Sequence, residues 1–233
     1  MSCILNIETS TSVCSVALSV GEEIVFEKVS FEGPSHAALV GVFVEEALAG
    51  LKEKNIKLDA VAVSSGPGSY TGLRIGVSVA KGLCFGFGIP LIGIHTLDIL
   101  AATAVKRNRN AGECLYCAML DARRMEVYAA IYDADLQLVR KTAADIIEPD
   151  SYGSYLEKGK VCFLGNGASK CKNVLDAPNA VFMEDIYPLA TEMVPLSVKA
   201  FHTGAFEDVA YFEPFYLKEF QATIAKNKVL GGK

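Results

Sequence analysis

The sequence predicts an α/β fold made of two units with one element order, β-β-β-α-β-α-β-α, in 233 residues. Three observations carry that expectation. Ala60-Val61-Ala62-Val63 is a short unbroken apolar run, the pattern of a strand buried on both faces. It runs through the glycine turn Gly66-Pro67-Gly68 into an apolar stretch of about four helical turns, closed by Pro90. The order of elements met in the first half then recurs in the second.

Taken in order, residues 4–7 form a strand that ends in the hydroxyl-rich turn Glu8-Thr9-Ser10-Thr11-Ser12. Residues 13–20 alternate, with Cys14, Val16, Leu18 and Val20 on one side, and Gly21-Glu22 turns the chain into a third strand at 24–31, completing a meander. Ser35 caps a helix spanning 35–54, the strand 60–63 follows, and Ser69 or Thr71 caps the helix 71–87. A strand at 91–94 and a helix capped by Thr96 and reaching about residue 105 complete the unit. The second unit reads as strands at 114–120, 127–132 and 136–141, a helix near 151–157, a strand at 161–164, the turn Gly165-Asn166-Gly167, a helix from Ser169, a strand near 181–183 and a helix at 191–202. The division falls at 1–106 and 107–233, with the C-terminal helix expected to pack back on the first unit.

The glycine turn does not fit the phosphate loop G-x-x-x-x-G-K-[ST], because no Lys-Ser/Thr pair follows its second glycine, nor the dinucleotide spacing G-x-G-x-x-G. Gly72, Gly76 and Ala80 recur every four residues, with Gly82 and Gly86 on a neighbouring row. Glycine costs about 1 kcal/mol per helical position against alanine, so the row predicts a helix that another helix approaches closely. Bulk on it, as in Gly76→Phe, is expected to block that approach and leave the fold largely intact. Residues 37–44 are all apolar or glycine, so that half of the preceding helix needs cover on its second face as well.

Composition excludes several classes. No run of eighteen or more apolar residues offers a membrane span, and Met1-Ser2-Cys3-Ile4 begins a strand in place of a signal peptide, which places the protein in the cytoplasm. Seven cysteines in apolar surroundings read as reduced, buried thiols, and Cys114-x-x-Cys117 sits in a strand where residues three apart face opposite sides. A net charge of −5 argues against a lone nucleic-acid binder; the basic spots at 106–109 and Arg123-Arg124 read as solvated loop charges.

Two mixed five-stranded units with helices on both faces make the duplicated ribonuclease H-like architecture shared by sugar kinases, actin and the Hsp70 ATPase domain (the ASKHA fold). More specifically, Ile7-Glu8-Thr9-Ser10-Thr11, Gly66-Pro67-Gly68-Ser69-Tyr70-Thr71-Gly72-Leu73-Arg74-Ile75-Gly76 with Ala80-Lys81-Gly82, Asp121-Ala122-Arg123-Arg124 with Glu126-Val127-Tyr128, and Pro214-x-Tyr216-Leu217-Lys218 resemble the TsaB (YeaZ) family across nearly the whole chain. The resemblance implies a non-catalytic scaffold for TsaD, the paralogue that transfers threonylcarbamoyl to the adenosine beside certain tRNA anticodons. It implies TsaE as a further partner, tRNA contact only through the complex, and a homodimer when the chain is alone.

The resemblance places the partner interface on the two helices of the first unit, at Ala37, Val40, Gly41, Val44, Gly72, Gly76, Val79 and Ala80. The paralogue holds its metal through H-x-x-x-H; here the place reads His95-Thr96-Leu97-Asp98-Ile99, so no metal ligand set is expected. A vestigial nucleotide cleft is expected at Glu8, Thr9, Ser10, Gly68, Asp121, Gly165 and Gly167, with no cofactor of the chain's own and ATP or ADP only at the level of the complex. The rivals are an ATP-dependent small-molecule kinase, or another enzyme of this fold, and a peptidase. The second has Ser35-His36 but no G-x-S-x-G elbow.

Overall fold

The computed structural model describes residues 1–33, 36–108 and 114–217. The expected cap at Ser35, the basic Arg109 and the closing Lys218 lie outside the described residues. The first unit runs β1 (Cys3–Glu8), β2 (Cys14–Val20), β3 (Glu23–Ser30), α1 (His36–Glu53), β4 (Ala60–Gly66), α2 (Tyr70–Phe87), β5 (Leu91–His95) and α3 (Thr96–Arg107). The second repeats that order as β6 (Leu115–Asp121), β7 (Glu126–Tyr132), β8 (Leu138–Ile146), α4 (Gly153–Leu156), β9 (Val161–Leu164), α5 (Ala168–Cys171), β10 (Ala180–Met183) and α6 (Ala190–Thr203).

The sheets have matching strand orders, β3-β2-β1-β4-β5 and β8-β7-β6-β9-β10, with the meander antiparallel and the remaining pairs parallel. The apolar runs predicted as doubly buried strands are so: every residue of β1 and β4 is buried. One face of the first sheet carries α1 and α2, whose Val40, Phe43, Val44, Val77 and Cys84 pack on Leu5, Ile7, Val16 and Val63.

The other face explains how the units are joined. Each unit's third helix lies on the other unit's sheet. From α6, Met193, Val194 and Val198 pack on Ile4, Ala60, Ala62 and Ile92 of the first sheet. From α3, Leu97, Leu100, Ala101 and Ala104 pack on Tyr116, Ala118 and Leu120 of the second. The buried Ser15 hydroxyl accepts the backbone N–H of Ala190 at 2.9 Å, anchoring the start of α6 on β2.

One local expectation changes, and two become specific. Thr96 is the first helical residue of α3; His95 holds the cap position and makes no side-chain cap bond. In α2 the cap is Ser69, whose hydroxyl accepts from the Gly72 amide at 3.3 Å. The units are unequal: where the first has two eighteen-residue helices, the second has α4 and α5 of four residues each. Among the described residues, a long two-helix face of this kind therefore exists on the first unit alone.

Candidate functional site

The residues of the expected cleft fall into two clusters. In the first, the end of β1 meets the start of α2. Ser69 N–H donates to the Ser10 carbonyl at 2.6 Å, Thr9 N–H to Ser64 Oγ at 3.4 Å, and the Thr9 hydroxyl to the Gly72 carbonyl at 2.8 Å. Side chains have no room here. A Cβ on Gly68 would strike the Ser10 carbonyl, one on Gly72 the Thr9 carbonyl, and one on Gly76 the Thr9 hydroxyl. This corrects the reading of the small-residue row: the close neighbour is the chain's own Thr9-Ser10 backbone.

Glu8 sits at the centre of that cluster, fully buried. Its Oε1 accepts the Ser10 amide at 2.5 Å, while Oε2 and the Ser10 hydroxyl find no partner. Burial pushes the carboxyl up to about 7, against the lowering effect of the hydrogen bond from the Ser10 amide. A carboxylate sealed in this way does not face a ligand. His36 is buried alongside, its Nε2–H donating to the Thr11 carbonyl at 2.6 Å, while its Nδ1 is buried without a partner.

In the second cluster Gly165 and Gly167 lie against the Met119–Asp121 backbone, where any Cβ would collide. Asp121 is held in an ion pair with Lys170, whose ammonium also donates to the carbonyls of Arg124 (2.8 Å) and Glu126 (2.6 Å). Asn166 Oδ1 accepts the Asp121 amide at 3.0 Å. Beside this turn lies a cavity of about 550 Å³ with Asn166, Ser169, Phe182 and Tyr187 on its walls and the Lys172–Glu184 pair at 3.2 Å. Glu8 is sealed and Asp121 is paired to a lysine, so neither carboxyl group stands free beside the glycine turns.

His95 stands at the end of β5, exposed, with Nδ1 3.4 Å from both Ser65 Oγ and the Gly66 carbonyl and its ring edge-on to Phe215. Ile99, four residues on, is wholly buried under α6. Among the described residues no group of three or more His, Cys, Asp or Glu side chains is gathered for a metal ion. Asp98 instead accepts the Tyr132 hydroxyl at 2.6 Å, and burial with that carboxylate pushes the Tyr132 phenol up.

The eight expected interface residues divide. Ala37 and Gly41 are exposed and Val79 is half-buried, but Val40, Val44, Gly72, Gly76 and Ala80 are buried within the chain itself. The outward face of α1 and α2 is made by other residues. On α1 it presents Ala37, Ala38, Gly41 and Val42, the valine 48% exposed. On α2 it presents Ser78, Gly82 and Gly86, with Phe85 86% and Phe87 56% exposed. Directions from Gly41, Gly82 and Gly86 open into empty space. Val42 and Phe85, exposed on this face, were not among the eight expected residues. The signal for Phe85 was present: α2 buries the row Leu73, Val77, Ala80 and Cys84, and Phe85 lies off it.

Two units of one topology that exchange their third helices define the class of protein: a duplicated ribonuclease H-like fold of the ASKHA type. A family model described as "TsaD: tRNA N6-adenosine threonylcarbamoyltransferase" matches residues 32–226. The tRNA threonylcarbamoyladenosine biosynthesis protein TsaB of Escherichia coli is 30% identical over 222 residues, covering 92% of this chain and 94% of that protein. Its Bacillus subtilis counterpart is 30% identical over 176 residues, 74% of this chain and 75% of the other. Among solved structures, YeaZ from Pseudomonas aeruginosa superposes with a TM-score of 0.78 at 27% identity, over 93% of this chain and all of the other. The chain belongs to the TsaB (YeaZ) family. Among the described residues no helix is long and apolar enough to cross a membrane.

Proposed function

We propose that this chain serves threonylcarbamoyladenosine formation on tRNA as a non-catalytic subunit that docks on a TsaD transferase through the outward face of α1 and α2. The observation that carries this reading is Phe85, 86% exposed on the last turn of α2 beside Gly82 and Gly86, with Val42 and Gly41 exposed on α1. An aromatic ring left in water next to side-chain-free helix surface is what a helix–helix contact uses, since small residues admit the partner and the ring anchors it. Among the described residues the face occurs once, because the corresponding helices of the second unit, α4 and α5, are too short to repeat it. In the absence of TsaD a second copy of the chain takes the same place, giving a homodimer.

Three features favour a partner over an enzyme. Glu8 is sealed from any ligand, Asp121 is committed to Lys170, and Ile99 stands where the second histidine of a metal pair would be. A kinase needs a free carboxylate in the cleft, and a peptidase needs a histidine base that can reach its substrate; His36 is buried, with Nδ1 sealed from solvent. TsaE, any ATP or ADP, and tRNA then join at the level of the complex.

The test is reconstitution. TsaD, TsaE and the enzyme that makes threonylcarbamoyl-adenylate are supplied with tRNA, threonine, bicarbonate and ATP, with and without this chain. Modification only in its presence, with no ATP hydrolysis by the chain alone, supports the reading. Equal modification in its absence overturns it.

A further inference from the structure

All seven cysteines are free and buried, yet two of them meet. The sulfurs of Cys114 and Cys162 are 3.4 Å apart. Cys162 stands opposite Tyr116 in the parallel β6–β9 ladder, so Cys114, two residues earlier, lies on the same face of the sheet. That face is the one covered by α3, and Asn108, which caps the end of that helix, closes the cluster. Its Nδ2 donates to the Tyr116 hydroxyl at 3.2 Å and lies 3.6 and 3.8 Å from the two sulfurs. Cys117, the other half of the CxxC, belongs to the opposite face and has no part in it.

A disulfide requires sulfurs about 2.0 Å apart, so the pair must close by a little over an ångström. Cys114 stands outside the regular ladder. It precedes β6, and the ladder's first tie is the next residue, where Leu115 N–H donates to the Lys160 carbonyl at 3.0 Å. Disulfides in a reducing compartment are usually transient and redox-sensing, and a pair already in contact is the arrangement such a bond needs.

We propose that Cys114 and Cys162 are a peroxide-responsive dithiol that closes reversibly into an intramolecular disulfide, tying the entry of β6 to β9 beneath the end of α3. Cys114, the more exposed of the two at 9% against 3%, reacts first. Its thiolate attacks one peroxide oxygen, the O–O bond breaks, and a sulfenic acid and water result. The Cys162 sulfur then displaces the sulfenic hydroxyl, which leaves as a second water with the Cys162 proton. Two thiols lose two electrons in all, and the peroxide gains them. Burial pushes the Cys162 thiol up to about 12, so Cys162 attacks as the second partner and not the first.

The measurement is made first on the unmodified full chain, folded and treated with hydrogen peroxide, then alkylated and mapped without reduction. The expected result is a fall from seven free thiols to five, a cross-linked peptide joining Cys114 to Cys162, and recovery of all seven with dithiothreitol. In Cys162→Ala the cross-link is lost and dimedone traps a sulfenic acid at Cys114. Seven thiols surviving the treatment, a cross-link between other cysteines, or a Cys114–Cys162 bond that forms only in urea would each overturn the proposal.

Discussion

The Thr9 hydroxyl donates to the Gly72 carbonyl at 2.8 Å, and the Thr9 carbonyl occupies the space where a Gly72 side chain would begin. The end of β1 and the first turn of α2 are thus locked through one hydrogen bond and one absent Cβ. Gly72→Ala should destabilise the fold by about 2–3 kcal/mol, the usual cost of forcing atoms into a filled interior. Gly76→Phe should prevent folding, since even a Cβ there meets the Thr9 hydroxyl. Urea denaturation followed by circular dichroism checks both. A folded Gly76→Phe chain of ordinary stability would remove the argument.

Phe85 offers the opposite case. Its ring is 86% exposed, so Phe85→Ser should leave stability within about 0.5 kcal/mol, as for most surface changes. Loss of an interface anchor typically costs 2 kcal/mol or more, which corresponds to about 30-fold in affinity. Binding to TsaD, measured by calorimetry, should weaken by at least about that factor while the urea midpoint stays in place. Affinity unchanged in Phe85→Ser would move the interface elsewhere.

These two residues also mark where the sequence is legible. Strand and helix order, sheet composition and the duplication follow from local patterns: the doubly buried run at Ala60–Val63, the alternation in β2, the turn at Gly66-Pro67-Gly68. A row of glycines records only that something approaches closely. Whether the neighbour is Thr9 of the same chain or a helix of another depends on the hand and tilt of α2 over β1, which no spacing contains. The placement of α3 on the second sheet was equally hidden, because an apolar helix face does not name the sheet it covers. The pairing of Asp121 with Lys170, forty-nine residues on, likewise needed the fold to bring β6 and α5 together.

Glu8 should make stability depend on pH. Burial holds its carboxyl up at about 7 when folded, against 4.5 as the ordinary value, so the folded chain binds the proton more tightly than the unfolded chain. The contribution is fully present below about pH 4.5 and is lost as pH rises towards 7, amounting to about 3 kcal/mol. Glu8→Gln keeps the acceptor for the Ser10 amide and removes the charge. It should therefore gain about 3 kcal/mol relative to the parent between about pH 4.5 and about pH 8. Parallel pH profiles of the two chains would exclude Glu8 as the titrating group.

Lys81 ties down the segment after α6. Its ammonium donates to the carbonyls of Ala210 (3.1 Å) and Phe212 (3.0 Å). The segment also bridges Leu91 through the Glu207 amide at 2.9 Å and reaches Ser65 through the Phe215 amide at 2.7 Å. Phe215 and Tyr216 thereby settle on His95 and Tyr70 over the glycine turn. Hydrogen bonds to a charged donor contribute about 1.5–3 kcal/mol each, so Lys81→Met should release the segment locally. Amide exchange at residues 205–217 should speed up by tenfold or more, since about 1.4 kcal/mol of opening free energy is worth that factor. Exchange in β1 and β4 should stay slow, because their burial rests on α1, α2 and α6 rather than on this segment. Equal acceleration in both places would mean that Lys81 supports the whole unit, and unchanged exchange in both that the Glu207 and Phe215 bonds suffice without it.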